Sequence, residues 1–419
     1  MMKVLWITNG LFPEAEAALS RQNELKGSGG WLLGLSDALI RKGDVKLVLA
    51  STTPLVKQVT RIEGKHMVYY AIPYSGDSSY KRQYENAYRE IYQAENPDLV
   101  HIHGTEYPHS LAALRACGAR KSVVSLQGLV SVIAKYYLGG IGQGQVLRNP
   151  SLHDLLRPNL FQQQREMARR GEYEIQLLRE ACHVIGRTAW DKEQALSVHP
   201  DIRYYHCDEI LRDDFYEGVW DYGHCVPHSI FLSQSYYPLK GLHKVLEAMP
   251  RVLKRFPDAS LRIAGIDLTH SREGWKGSLK ISSYGKMIRR LMVTNQLQGK
   301  ISFLGPLNAG EMKEEYLKSN LFICPSSIEN SPNSLGEAQI LGVPCIASHV
   351  GGIPSMMKGD EEHLYPFEET EVLADKICGV FENQSCQGQA PFMRQEALRR
   401  HDPERIVSDM MGIYSNLMR

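Results

Sequence analysis

The sequence lacks the marks of several protein classes. No run approaches the roughly 18 apolar residues that cross a bilayer, so any work at a membrane would be done from its surface. The opening MMKVLWITNGLFPE has too short an apolar stretch for a secretory leader, and Pro13 and two acids follow at once. The eight cysteines include no C-x-x-C pair. Apolar settings such as FICPS read as buried free thiols in a reducing cytosol. Net charge is scarce as well: 48 Lys and Arg stand against 47 Asp and Glu. A balance of +1 gives no general attraction to nucleic acid, so any anion site must be local. Neither H-E-x-x-H nor D-x-D occurs, which leaves no evident metal motif. No G-x-G-x-x-G follows the first apolar run with an acid about 20 residues on, and this disfavours a dinucleotide-dependent dehydrogenase.

What is present is a repeated alternation of short apolar runs and longer helical ones. KVLWIT (3–8), DVKLVLAS (44–51), HMVYYAIP (66–73), DLVHIHG (98–104), KSVVSLQG (121–128) and HVIGRT (183–188) are apolar throughout. Such runs predict parallel strands covered on both faces. The pattern restarts with HSIFLSQ (228–234) and continues through SLRIAG (260–265), KISFLG (300–305), LFICPS (321–326) and PCIAS (344–348). Two βα arrays imply an α/β chain of two doubly wound, Rossmann-like domains. Residues 1–220 form the first, 221–399 the second, and a last helix over about 400–419 packs back on the first. The glycine-rich YYLGGIGQGQ (136–145) reads as a lid or acceptor loop, with a plain surface loop as the equal alternative.

The most informative stretch is SSIENSPNSLGEAQILGVPCIASHVGG (326–352). Glu329 and Glu337 flank a polar turn that follows a strand and opens a helix, with Asn333 or Ser334 as its natural N-cap. The free N–H groups and positive dipole end of such a helix suit a diphosphate. Glu329 can reach one side of it, and Glu337 can accept hydroxyls of a ribose on the other. The alternative reading stays open: Glu337 complements the helix dipole and Glu329 is a solvated loop acid.

This stretch resembles the signature of the retaining family-four glycosyltransferases of GT-B fold, a PS…E-x7-E…G-x-P-x-x-x-S…GG pattern. The resemblance extends to GSGGW (27–31), DLVHIHG, YYPLKG (236–241), LRIAG (261–265) and ISFLG (301–305), in order along the chain. VIGRTAWD (184–191) and ENSPNSL look most like bacterial members that build surface polysaccharides. The resemblance implies two domains facing a central cleft that closes. It implies transfer of a sugar from a nucleoside diphosphate sugar to an acceptor hydroxyl, with retention and without a metal or other cofactor. Glu329 would contact the donor sugar and Glu337 the ribose. Backbone groups of Asn333, Ser334 and Leu335 would meet the diphosphate, and Lys240 would bind the leaving group. Gly29 and Gly30 would let the first-domain backbone approach the donor. Where many members carry an arginine and a histidine, this chain has Gln234 and Gln127, so one cation and one titratable group are missing. His103 falls near the cleft by strand position, with a core role as the equal alternative.

The acceptor, a saccharide or lipid-linked saccharide, would contact the first domain. Residues 120–187 hold ten Lys or Arg against five Asp or Glu, and Arg165, Arg169 and Arg170 could share one helix side. A basic face suits peripheral contact with the inner face of the cell membrane, and a solvated helix surface is the alternative. Two other functions compete with transfer. One is a non-catalytic nucleotide-sugar-binding protein. The other is a nucleotide-sugar epimerase of the same fold, which would need an acid/base pair that the sequence does not display.

Overall fold

Among the described residues, fourteen short strands gather into two sheets, and most are apolar on both faces and need helices on either side. The computed structural model describes residues 1–20, 30–74, 76, 79–269, 281–383 and 390–419. The first sheet contains β1 (Met2–Thr8), β2 (Val45–Thr53), β3 (Thr60–Glu63), β4 (Val68–Pro73), β5 (Leu99–His103), β6 (Ser122–Ser125), β7 (His183–Gly186) and β8 (Arg203–His206). Their order is β3-β4-β2-β1-β5-β6-β7-β8, and only the β3–β4 pair is antiparallel. The second sheet contains β9 (Val226–Leu232), β10 (Ser260–Ala264), β11 (Ile301–Gly305), β12 (Ser319–Cys324), β13 (Cys345–Ser348) and β14 (Leu364–Tyr365). It is parallel throughout, in the order β11-β10-β9-β12-β13-β14.

Three strands escape the sequence pattern, each for a visible reason. β3 (TRIE) alternates between half-buried and exposed residues at a sheet edge. β8 (RYYH) is an opposite edge with no buried residue. β14 is only two residues long. By contrast β5, β12 and β13 are buried at every position, and all three are plain in the sequence.

The chain separates into two compact units. The first is Met1–Val132, Glu166–Arg212 and Arg400–Arg419, and the second is Ile133–Arg165 and Asp213–Arg399. In the first unit, the helix Pro403–Leu417 is capped by Asp402, whose carboxylate accepts the Arg405 N–H at 2.6 Å. Its Tyr414 hydroxyl is fully buried, accepting from Trp6 Nε1 at 3.0 Å and lying 2.7 Å from His101 Nδ1. This anchoring explains how a terminal helix becomes part of a core.

Residues 133–165 belong with the second unit, although the sequence places them within a first domain of 1–220. The glycine-rich loop is correspondingly pinned. Gly139 O lies 2.8 Å from His243 Nε2, and Ser327 Oγ donates to Tyr136 O at 2.8 Å. Ile141 and Leu160 join the hydrophobic core beside Leu242 and Val245. Burial holds the His243 imidazole neutral, lowering its pKa to about 4.

Candidate functional site

In a doubly wound sheet, ligands bind beyond the carboxyl ends of the strands where the order reverses. In the second sheet that point lies between β9 and β12, since β10 follows on one side and β12 on the other. The loops leaving these two strands are in close contact. Ser327 N donates to Leu239 O at 2.8 Å. Gly241 has φ +71°, and a Cβ there would sit 1.8 Å from Pro325 O, so only glycine fits the crossing.

Lys240 ends the single 3-10 turn Pro238–Lys240 after β9. Its Nζ lies 2.5 Å from Glu329 Oε1, which also accepts from Ser326 Oγ at 2.9 Å. Both side chains are mostly shielded, 12% and 16% exposed. Burial alone would lower the lysine pKa, but the Glu329 carboxylate and Tyr237 outweigh it and hold the ammonium charged. The sequence reading gave these residues separate partners, and the fold pairs them with each other. In this geometry Glu329 fixes the position of the Lys240 ammonium.

Glu329 is itself held by the backbone. Gly352 N donates to Glu329 O at 3.0 Å. Gly351 has φ +52°, and a Cβ there would lie 2.0 Å from the same oxygen. This is the physical reason for the first of the two glycines that close the motif. Gly351→Ala is expected to destabilise the second unit by at least about 2 kcal/mol, from left-handed strain plus a clash with backbone that cannot swing aside. Denaturant unfolding would check this, and a variant as stable as the parent would refute the close approach.

The helix Asn333–Leu341 starts without a side-chain cap, and its N-cap is Pro332 rather than Asn333 or Ser334. Pro332 O accepts from Leu335 N at 3.0 Å and from Gly336 N at 3.3 Å. The N–H of Leu335 is therefore used within the turn, and its side chain is fully buried. The expected donation of the Leu335 N–H to a diphosphate would have to share or replace this bond. The N–H groups of Asn333 and Ser334 precede the helix's own bonding pattern. Asn333 Oδ1 is also buried with no hydrogen-bond partner. An acceptor oxygen left over at an uncapped helix start is a ready contact for a hydroxyl of a polar ligand.

Glu337 is 4% exposed in the first turns of this helix. Tyr316 donates its hydroxyl to Ser334 O at 3.0 Å and approaches Glu337 Oε2 at 3.5 Å. Tyr316 comes from the helix Ala309–Lys318, and nothing in its sequence surroundings marks it.

Gly29 lies outside the described residues. Gly30 opens the helix Gly30–Lys42, and the Arg212 side chain fills the space its Cβ would need. Gln127 lies just past β6, where Arg187 donates to its carbonyl at 3.1 Å and to that of Leu126 at 2.5 Å. Arg187 is buried and paired with buried Glu209, so it serves as a positioning residue for this turn. His103 is 2% exposed, stacked on His101 at 3.7 Å and edge-on to Trp6 at 4.4 Å. Neither of its ring nitrogens has a partner, and burial followed by the neighbouring His101 keeps it neutral. It is a core histidine lining a small cavity with Trp31, Ser125 and Arg187.

Gln234 is exposed beyond β9. At the first sheet's own switch point, between β1 and β5, the sequence reading missed a polar cluster. Glu106 accepts from Asn9 Nδ2 at 3.0 Å and from Gly128 N at 3.2 Å, and Asn9 Oδ1 lies 3.0 Å from His109 Nε2. Of the expected stripe, Arg165 is exposed, while the other two arginines are engaged. Arg169 pairs with Glu166 at 2.9 Å, and Arg170 lies over the Tyr107 ring at 4.9 Å.

The profile of the glycosyl transferases group 1 family matches residues 227–396, the span that carries Lys240, Glu329 and Glu337. Phosphatidyl-myo-inositol mannosyltransferase of Mycobacterium tuberculosis H37Rv is 24% identical over 194 residues, 45% of this chain and 47% of the relative. The match thus spans about half the length of that enzyme. N-acetyl-alpha-D-glucosaminyl L-malate synthase of Bacillus anthracis is 24% identical over 342 residues, 79% of this chain and 77% of the relative. Among solved structures, sucrose-phosphate synthase of Thermosynechococcus elongatus superposes with a TM-score of 0.71 at 16% identity, covering 100% of this chain and 99% of that one. The fold of this chain is therefore GT-B, two α/β units built on largely parallel sheets. Among the described residues, no helix is long and apolar enough to cross a membrane.

Proposed function

We propose that this chain transfers a glycosyl group from a nucleoside diphosphate sugar to an acceptor hydroxyl, with retention, in the synthesis of a polysaccharide or other glycan. The observation that carries the reading is the Lys240–Glu329 pair at the β9/β12 switch point, beside an uncapped helix start whose Asn333 Oδ1 has no hydrogen-bond partner. Departure of a nucleoside diphosphate builds negative charge. Preorganised cations and amides that meet this charge lower the barrier without reorganising. In the proposed site Lys240 and the Asn333 and Ser334 amides meet the diphosphate, Glu337 accepts the ribose hydroxyls, and Glu329 orients Lys240 beside the donor sugar. Gln127 and Gln234 act as neutral hydrogen-bonding groups.

The acceptor attacks from the side the diphosphate leaves, and a leaving-phosphate oxygen takes the acceptor proton. The C–O bond to the acceptor forms as the anomeric C–O bond breaks. With positive charge supplied by the protein, no metal is required. The acceptor is a saccharide or lipid-linked saccharide, met by the first unit at a membrane surface.

Thermal shift against a panel of nucleoside diphosphates and their sugars tests the donor class, because ligand binding to the folded state raises the melting temperature. One base is expected to stabilise strongly, with slow hydrolysis of the matching sugar donor that survives chelation of metals. Stabilisation by no member of the panel would overturn the reading. Stabilisation with no donor turnover, with or without saccharide acceptors, would leave a binding protein.

A further inference from the structure

Single exposed leucines are ordinary on a protein surface, but three in one turn form a patch. Leu152, Leu155 and Leu156 are 51%, 80% and 87% exposed. The latter two end the short helix His153–Leu156 in the second unit. The patch is fixed in place by polar contacts. The Asp154 carboxylate accepts from Ser283 N at 3.0 Å, at the start of the helix Ser283–Thr294. Ser151 Oγ donates to Ile281 O, and Lys286 Nζ donates to Pro150 O at 2.5 Å. These bonds tie the turn down while its leucines point away from the core.

The surroundings are basic, in a protein whose net charge is only +1. Arg148 and Arg157 flank the turn and are exposed. The helix against which it is tied presents Lys286, Arg289 and Arg290, and residues 282–298 contain no acid. The one acid within 143–165 is Asp154, already engaged by Ser283. A second copy of the chain would bring like charges together, which opposes pairing. Apolar tips ringed by cations instead match the interface of a bilayer rich in anionic headgroups, where leucines enter the acyl boundary and Lys and Arg meet phosphates.

We propose that this face, centred on Leu155 and Leu156, docks the protein onto an anionic membrane surface. The proposal gives the membrane contact named above a location, but its test does not depend on the donor chemistry. Full-length protein is sedimented with phosphatidylcholine vesicles, with and without phosphatidylglycerol. Binding is expected only with phosphatidylglycerol, and raised salt should weaken it. Two double variants, Leu155→Ser with Leu156→Ser and Arg289→Glu with Arg290→Glu, should each reduce binding about tenfold or more. Their melting temperatures should match the parent's, because the leucines and the arginine pair are exposed.

Absent binding to phosphatidylglycerol vesicles, or binding indifferent to the leucine pair, would overturn the proposal. So would self-association in size exclusion that the leucine variant abolishes, which would assign the patch to a second copy. None of these outcomes touches donor recognition, and loss of the donor reading would leave vesicle binding unexplained by anything but this face.

Discussion

Lys240→Ala is expected to lower turnover by about two to three orders of magnitude, the usual effect of deleting one preorganised group that meets developing charge. It should also destabilise the second unit, because the shielded Glu329 carboxylate loses its cation. Breaking a fully buried pair costs about 3–5 kcal/mol, and the 12% and 16% exposure of this one puts the expected loss lower, about 2 kcal/mol. The two effects can be separated. Lys240→Met combined with Glu329→Gln removes both charges and should recover most of the melting temperature while turnover stays low. Single-turnover kinetics alongside thermal unfolding reads both quantities. If activity returns together with stability, Lys240 is a structural cation and the leaving-group assignment fails.

The second large effect concerns Glu337. Glu337→Ala should weaken binding of the free nucleoside diphosphate by about 10- to 100-fold, since a charge-assisted hydrogen bond contributes about 1.5–3 kcal/mol. Calorimetric titration with the nucleoside diphosphate chosen by the thermal-shift panel measures this directly. Tyr316→Phe should cost less, because the hydroxyl reaches Glu337 Oε2 only at 3.5 Å and chiefly holds Ser334 O. Affinity untouched by Glu337→Ala would remove the ribose role and return Glu337 to complementing the helix dipole.

The two variants test different features of one switch point, and the fold explains why they belong together. β9 and β12 are adjacent, and Gly241 packs against the Pro325 carbonyl. A residue from each strand exit is thereby brought within hydrogen-bond distance across 89 positions of sequence. Neither strand alone makes a site. Gly351 completes the arrangement by letting the backbone run against Glu329 O.

Several features were legible without coordinates because each depends on local physics. Strands buried on both faces must be apolar throughout, so β1, β2, β5 and β12 announced themselves, and a strand–turn–helix with flanking acids announced the second-unit site. Edge strands such as β3 carry a mixed pattern and gave no such signal. The missed groups are those whose partners lie far away in sequence. Glu106 meets Asn9 across 97 residues, and Tyr316 meets Glu337 across 21. The use of the Leu335 N–H within a proline-capped turn was likewise invisible, because a capping preference is statistical and the backbone chose Pro332.

By itself, then, the amino-acid sequence determined the fold class, the two βα arrays and the motif that holds Glu329 and Glu337, since periodicity and turn chemistry act over a few residues. Only the tertiary structure decided that Lys240 pairs with Glu329, that residues 133–165 join the second unit and that Leu155 and Leu156 stand exposed among arginines. Those outcomes depend on which distant backbones approach closely enough to bond, and burial, charge pairing and exposure are properties of that packing rather than of any one segment.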